Sequence, residues 1–287
     1  MTTKDLSKKH IMVVGAGRGI GRHIAQSCAS HGAHVSICAR SLNEIVATKK
    51  EIGDLFPEVK IFADPCDIRD RSQVNSFIEL SVQKAGPLYG LICTAGIHGS
   101  IGPFATADFN DWQQAIEVNL IGVAYFIRQS LARFSKAFGG RIILFSGGGQ
   151  GAMENFSSYV ASKGGIWRLT ETLGVELKGL GIFINCVAPG AVNTYMLDSL
   201  LELGPEKVGE RVYHESLRQK TSGGHPSEKT CNLCLWLLSD SAKGLTGKIL
   251  SAVWDPYQKL KDLEQISASD LFNVRRVVDD LGNTRPK

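Results

Sequence analysis

Tyr159 and Lys163 stand four positions apart in Tyr159-Val-Ala-Ser-Lys163, and Ser146 follows the apolar run Ile142-Ile-Leu-Phe145. On a helix, positions i and i+4 share a face, so this spacing sets a phenol beside an ammonium. A free tyrosine titrates near pH ~10 and exchanges protons poorly at neutrality. A neighbouring cation favours the phenolate and draws that value toward the working range, which general acid–base catalysis needs. A strand ending at Ser146 and a helix carrying Tyr159 would bring a hydroxyl and a phenol to one substrate oxygen. Taken singly, a serine can cap a strand end and a Tyr/Lys pair can decorate a helix surface. Together they describe a proton-transfer site, and such a site calls for a group that moves electrons.

That group is signalled near the N-terminus. The run Gly15-Ala-Gly-Arg-Gly-Ile-Gly21 follows an apolar strand-like segment and opens a helical one. Its spacing is Gly15-x-x-x-Gly19-x-Gly21, with Gly17, Arg18 and Ile20 in the intervals. Missing Cβ atoms permit a tight turn and let the backbone and the helix N-terminus approach a pyrophosphate. A phosphate loop for a nucleoside triphosphate would carry a Lys-Ser/Thr pair, and none is present. A glycine-rich turn alone is a weak signal; between a strand and a helix it points to phosphate binding.

The second strand-like run ends Cys38-Ala39-Arg40. A carboxylate there would accept a hydrogen bond from the adenosine ribose 2′-hydroxyl, whereas an arginine suits a 2′-phosphate. Ala39 removes the expected acid, and Arg40 with Arg18 offers two guanidinium groups, which pair with phosphate bidentately. The expected cofactor is therefore NADP(H) rather than NAD. Asp67 and Ile68, after the third strand, are placed to cap the adenine; a plain loop aspartate accounts for Asp67 equally well.

The elements that must position these residues alternate along the chain. Strands are expected over residues 11–14, 34–39, 59–63, 88–93, 141–145, 182–187 and 248–253. Helices are expected over 19–30, 42–52, 71–84, 109–138, 158–177 and 227–238. Short Val/Ile-rich strands alternating with helices mean a doubly wound, mainly parallel α/β sheet of about seven strands, Rossmann-like, with helices on both faces. The expected organisation is one catalytic and dinucleotide-binding domain over 1–254. Within it, 193–224 form a substrate lid, and 255–287 form a C-terminal tail with an amphipathic pattern over 263–281. Two accounts stand for the tail arginines, Arg275 and Arg276. They recognise an anionic substrate, or they are solvated or paired with Asp279 and Asp280.

Composition sets bounds. The chain has 287 residues, 43% hydrophobic and 21% charged, with a net charge of +4. That charge is small and scattered, which argues against nucleic acid as a partner. No apolar run approaches the roughly 18–20 residues of a membrane span, so no membrane partner is expected. Seven cysteines, an odd count in mostly apolar runs, point to a reducing cytoplasm. Cys231 and Cys234 have redox or zinc spacing but lie on an apolar helix face with no second ligand pair, so no metal is expected.

With these residues assembled, the chain resembles the short-chain dehydrogenase/reductase family over about residues 8–254. The motifs that carry the resemblance are Gly15-x-x-x-Gly19-x-Gly21, Cys93-Thr-Ala95-Gly96, Asn119-Leu-Ile-Gly122, Ser146, Tyr159-x-x-x-Lys163 and Pro189-Gly190-x-Val192-x-Thr194. The resemblance implies a hydride exchanged between nicotinamide and a carbonyl or secondary alcohol carbon. Tyr159 would be the acid or base, and Lys163 would lower its pKa and bind the nicotinamide ribose. Ser146 would hold the substrate oxygen, and Asn119 would position a proton-relay water. Ala95 and Gly96 would line the cofactor site. Pro189, Gly190, Val192 and Thr194 would grip the nicotinamide amide. Asn119 and Gly122 are mediocre helix formers, which fits a local bend that exposes a carbonyl.

The family also implies a homodimer or homotetramer through the 109–138 and 158–177 helices. Two departures stand out: Val14 where a threonine is usual, and Cys93-Thr94 where paired asparagines link the fourth strand to the first. The expectation is a ketone reductase acting on a small molecule. Its rivals are an NAD-linked alcohol or sugar dehydrogenase and a non-catalytic nucleotide sensor on the same fold.

Overall fold

Runs such as His10-Ile-Met-Val-Val14 and Leu88-Tyr-Gly-Leu-Ile-Cys93 are buried along their whole length, as strands covered on both faces must be. The computed structural model describes residues 6–147 and 151–275. Its first half comprises β1 (His10–Val14), α1 (Gly19–Ser30), β2 (His34–Ala39), α2 (Leu42–Leu55), β3 (Ile61–Pro65), α3 (Arg71–Ala85) and β4 (Leu88–Cys93). It continues through α4 (Phe109–Ile116), α5 (Val123–Ser130), β5 (Gly140–Phe145), α6 (Ser157–Glu176) and β6 (Ile182–Ala188). Then come α7 (Tyr195–Glu202), α8 (Pro205–Val208), α9 (Glu210–Ser222), α10 (Ser227–Leu238), β7 (Lys248–Ser251) and α11 (Leu263–Ala268).

The seven strands pair in parallel in the order β3-β2-β1-β4-β5-β6-β7. The chain winds outward from β1 to β3 and returns as β4 on the other side of β1. Reversal of strand order there opens a crevice at the carboxyl ends of β1 and β4, where doubly wound sheets bind ligands. One apolar layer packs α1 and α10 on one face of the sheet, with Cys231 and Cys234 inside it. The other packs Phe77, Phe126, Ile127 and Ile166 from α3, α5 and α6 on the opposite face. All seven cysteines are buried and free, in keeping with a packing role for the Cys231/Cys234 pair. Among the described residues no helix is long and apolar enough to cross a membrane.

The structure departs from the expected elements in several places. The third strand begins at Ile61 rather than at residue 59. The helix expected over 109–138 is interrupted. After α4 a wide π turn runs Glu117–Gly122, and after α5 a 3₁₀ turn ends at Arg133. Phe134 is then extended and bridges to Leu88, with Ser135 N–H donating to the Leu88 carbonyl. The last strand stops at Ser251, whose hydroxyl accepts from the Val253 and Trp254 amides and turns the chain.

In the tail, the helix expected from the 263–281 pattern ends at Ala268, and Arg276, Asp279 and Asp280 lie outside the described residues. The remainder clasps the free edge of β7. Ile249 N–H donates to the Phe272 carbonyl at 2.9 Å, and Lys248 Nζ donates to the Ser269 carbonyl at 2.6 Å. Asn273 and Arg275 both hold Glu171 of α6, at 2.8 and 3.0 Å. Arg275 also pairs with Asp270 at 2.6 Å, so its guanidinium faces protein carboxylates rather than a substrate.

Candidate active site

The glycine loop turns because its residues lack side chains. Gly15 has φ +89°, and a Cβ there would stand 2.6 Å from the Ala95 amide nitrogen. A Cβ on Gly21 would overlap the Thr94 hydroxyl and the Gly15 carbonyl. Thr94 is the tie between β4 and β1, because its hydroxyl donates to the Val14 carbonyl at 2.8 Å and reaches Gly15 O at 3.2 Å. The link expected to be lost with the paired asparagines is thus supplied by a shorter side chain.

α1 starts after Arg18 with no side-chain cap and no acid in its first turn. Its first amides carry the positive end of the helix dipole, and they open on the crevice. A cleft of about 520 Å³ lies there, bounded by Gly15, Gly17, Gly19, Arg40, Asp67 and Ala95 among others. Its size, its glycine floor and its uncapped amides fit a dinucleotide.

At the far end of that cleft Arg40 is exposed and makes no ion pair among the described residues. Arg18 is engaged. Its guanidinium pairs with Glu44 at 3.1 Å and lies over the Tyr195 ring at 3.7 Å. Glu44 sits three residues after Ser41, whose hydroxyl caps α2, and its carboxylate rests against Gly17. The Ser-x-x-Glu spacing is a helix-start signal legible in the sequence. What it puts into the cleft was not read from it. Asp67 lines the cleft too, with its carboxylate held at 2.6 Å by Arg69; that bond keeps the acid below its ordinary range. Ile68 meets the π turn, where a Cβ on Gly122 would stand 2.8 Å from the Ile68 carbonyl.

A second cavity, of about 720 Å³, opens beside the first and shares Ile20, Thr194 and Met196 with it. Ser146 and Tyr159 line it, as do Pro189, Gly190 and Val192. Leu197 and Leu200 of α7 and Val212 of α9 form an apolar wall, and Phe272–Val274 of the tail close another side. Ser146 is fixed by its amide, which donates to the Val187 carbonyl at 2.9 Å. Lys163 lines neither cavity; it is buried, and its Nζ donates to the Phe145 carbonyl at 2.9 Å. Asn119 lies in the π turn. Its amide accepts from Ile97 N–H at 2.8 Å and donates to the Ile97 carbonyl at 2.8 Å and to Ser162 Oγ at 2.9 Å. It therefore ties the loop after β4 to α6.

The electrostatics differ from the sequence expectation. Burial pushes the Tyr159 phenol up to about 12 and the Lys163 ammonium down to about 8. Desolvation opposes both charged forms and outweighs the expected pull of the cation on the phenol. At neutral pH Tyr159 keeps its proton. His98 lines the second cavity. Its ring meets Tyr159 edge-on at 5.1 Å, and burial lowers it to about 4, so it is neutral. Trp167 of α6, which the sequence analysis did not single out, donates its indole N–H to Ser146 Oγ. Its place four residues after Lys163 was the available signal.

A parallel sheet with its switch-point crevice, joined to a cavity holding a serine and a protonated tyrosine, defines a dinucleotide-dependent oxidoreductase. Residues 9–203 match the short chain dehydrogenase model, and the chain belongs to that family, which uses a nicotinamide cofactor. It is 29% identical over 251 residues to levodione reductase of Leifsonia aquatica, covering 86% of this chain and 94% of that one. It is 31% identical over 245 residues to a 3-oxoacyl-(acyl-carrier-protein) reductase of Staphylococcus aureus, covering 84% and 95%. Among solved structures it resembles a variant of actinorhodin polyketide ketoreductase with NADPH (TM-score 0.76, 27% identity, 85% and 95% covered). It also resembles carveol dehydrogenase of Mycobacterium avium with NAD (TM-score 0.77, 25% identity, 87% and 97% covered).

Gly147 leaves the space that the Tyr159 hydroxyl occupies, since a Cβ there would overlap it. Gly147→Ala is expected to displace the phenol and lower turnover by ~10²-fold or more, the cost of ångström-scale misplacement of a reacting group. Thermal unfolding should stay close to wild type. Kinetics and a melting curve on the same preparation check this.

Proposed function

We propose that this protein is an NADP-dependent reductase of small-molecule ketones, working through Ser146, Tyr159 and Lys163. The observation that carries the proposal is the meeting of the two cavities at Ile20, Thr194 and Met196, with a serine hydroxyl and a proton-bearing phenol on the substrate side. The reduced cofactor supplies the hydride, a proton and two electrons, to the carbonyl carbon. Tyr159 donates its proton to the carbonyl oxygen as that oxygen gains charge, and Ser146 holds the same oxygen by a hydrogen bond. A phenol held above neutrality is protonated at pH 7, which suits donation and hence reduction. Lys163, lowered by burial to about 8, stands behind Gly96 of the cofactor cleft; it would reach the ribose only by turning from the Phe145 carbonyl, and it would return a proton to Tyr159 through the path that Asn119 helps to fix. α7 to α9 act as the cover of the substrate cavity. Ketone reductases among the relatives support the substrate class.

An NAD-linked dehydrogenase is the second reading, and Glu44 favours it. Its carboxylate, at the Gly17 and Arg18 end of the cleft, can accept from a ribose hydroxyl and would repel a 2′-phosphate. Arg40 favours NADP. A cytoplasmic location and a homodimer or homotetramer are part of the proposal. For that assembly, Phe109 (65% exposed), Ile121 (52%) and Val175 (81%) offer an apolar outer face on the 109–130 segment and α6.

Tyr159→Phe keeps the ring and removes the proton, so NADPH-dependent ketone reduction should fall by ~10²–10⁴ while cofactor binding survives. Near-normal turnover would remove the mechanism. Arg40→Asp should weaken NADPH binding by on the order of 2–4 kcal/mol and leave NADH nearly unchanged. A wild-type preference for NADH would decide for the second reading. Light scattering at micromolar protein should return two or four times the chain mass, and a monomer mass counts against assembly.

A further inference from the structure

We propose that Trp167 is a positioning residue for the reducing site, fixing the direction of the Ser146 hydroxyl so that its proton goes to the substrate oxygen. The proposal rests on the role given above to Ser146 and adds a residue to it. Tyr159, Lys163 and Trp167 follow one another at four-residue intervals on α6 and so form one stripe facing the end of β5. The indole Nε1 donates to Ser146 Oγ at 2.5 Å.

The consequence lies in the inventory of donors. An indole N–H can only donate, whereas a serine hydroxyl has one proton and two lone pairs. With one lone pair filled by Trp167, the hydroxyl cannot aim its proton at the indole. Ser146 is 6% exposed, and its amide is already spent on Val187. The cavity that Ser146, Tyr159 and Trp167 line together is where the hydroxyl proton can go. A carbonyl oxygen entering that cavity then meets two donors, the Tyr159 phenol and the Ser146 hydroxyl. Donation into an oxygen also makes its own O–H a stronger donor, so the indole strengthens the bond it directs. That bond tightens as negative charge builds on the substrate oxygen, which places the effect in turnover rather than in substrate affinity.

The bond itself is read by ¹⁵N–¹H spectra of the four indoles in the holoprotein, with Trp167→Phe assigning the Trp167 signal. Ser146→Ala should move that signal upfield and leave the other three in place; an unmoved Trp167 signal overturns the proposal. The role is read by a double-mutant cycle. Trp167→Phe should lower kcat about tenfold, the worth of one directed hydrogen bond, with KM near wild type. In a Ser146→Ala background the same change should cost nothing further. An equal loss in both backgrounds would make Trp167 a packing residue only. Site-specific replacement of Trp167 by its benzothiophene analogue keeps the shape without the N–H and should reproduce the Trp167→Phe loss even if the phenylalanine variant folds poorly. A wild-type chain that reduces no ketone would instead fail the proposed function, while the indole signal would still report the bond.

Discussion

A buried ammonium constrains the rest of this site. Lys163 has no exposure to speak of, and taking a cation out of water is costly unless it is hydrogen-bonded. Its Nζ answers to the carbonyl of Phe145, the last residue of β5, so α6 is pinned to the strand one residue before Ser146. Pinning sets the register of the whole helix face: Tyr159 a turn before, Trp167 a turn after. Gly96 lies directly against this pair: a Cβ there would be in ordinary contact with both, 3.5 Å from the ammonium and 3.4 Å from the Asn119 amide oxygen. Asn119 in turn holds Ser162, the neighbour of Lys163. Chemistry and packing are therefore one problem here, solved at the carboxyl end of β5.

The nucleotide end is governed by a different balance. Arg18 is shared between a carboxylate and an aromatic face, and Arg40 stands open to solvent at the same end. The Arg18–Glu44 pair is partly solvated, which keeps it weak and exchangeable. Such an arrangement lets an acid in the first turn of α2 set the terms on which a loop arginine meets a ligand.

What the sequence made legible were features of local origin. Alternating Val/Ile runs and amphipathic helices named the sheet; the four-residue spacing put Tyr159 and Lys163 on one helix face. The glycine spacing placed the cleft. What escaped were effects fixed by tertiary contact. Asn119 and Gly122 hinted at a bend, yet the π turn's extent depends on Gly122 meeting the Ile68 carbonyl across space. Thr94 looked like the loss of an amide, and only the approach of Gly15 and Gly21 reveals that a hydroxyl suffices. The pull of Lys163 on Tyr159 was overestimated because spacing carries no information about desolvation. For Arg275 the sequence left a ligand and a solvated or paired guanidinium both open, and the partners it finds, Glu171 of α6 and Asp270, are set by tertiary contact.

The clasp on β7 also has a bearing on how the chain is made. An open strand edge is a template for pairing with another chain. Here Ile249 finds its partner in Phe272, a residue synthesised after it. Until that later segment leaves the ribosome, β7 presents an exposed margin. Afterwards Lys248 reaches Ser269 and Asn273, and the margin is closed from within the same polypeptide. The tail thus occupies, from within one polypeptide, the margin along which a second chain could otherwise add a strand.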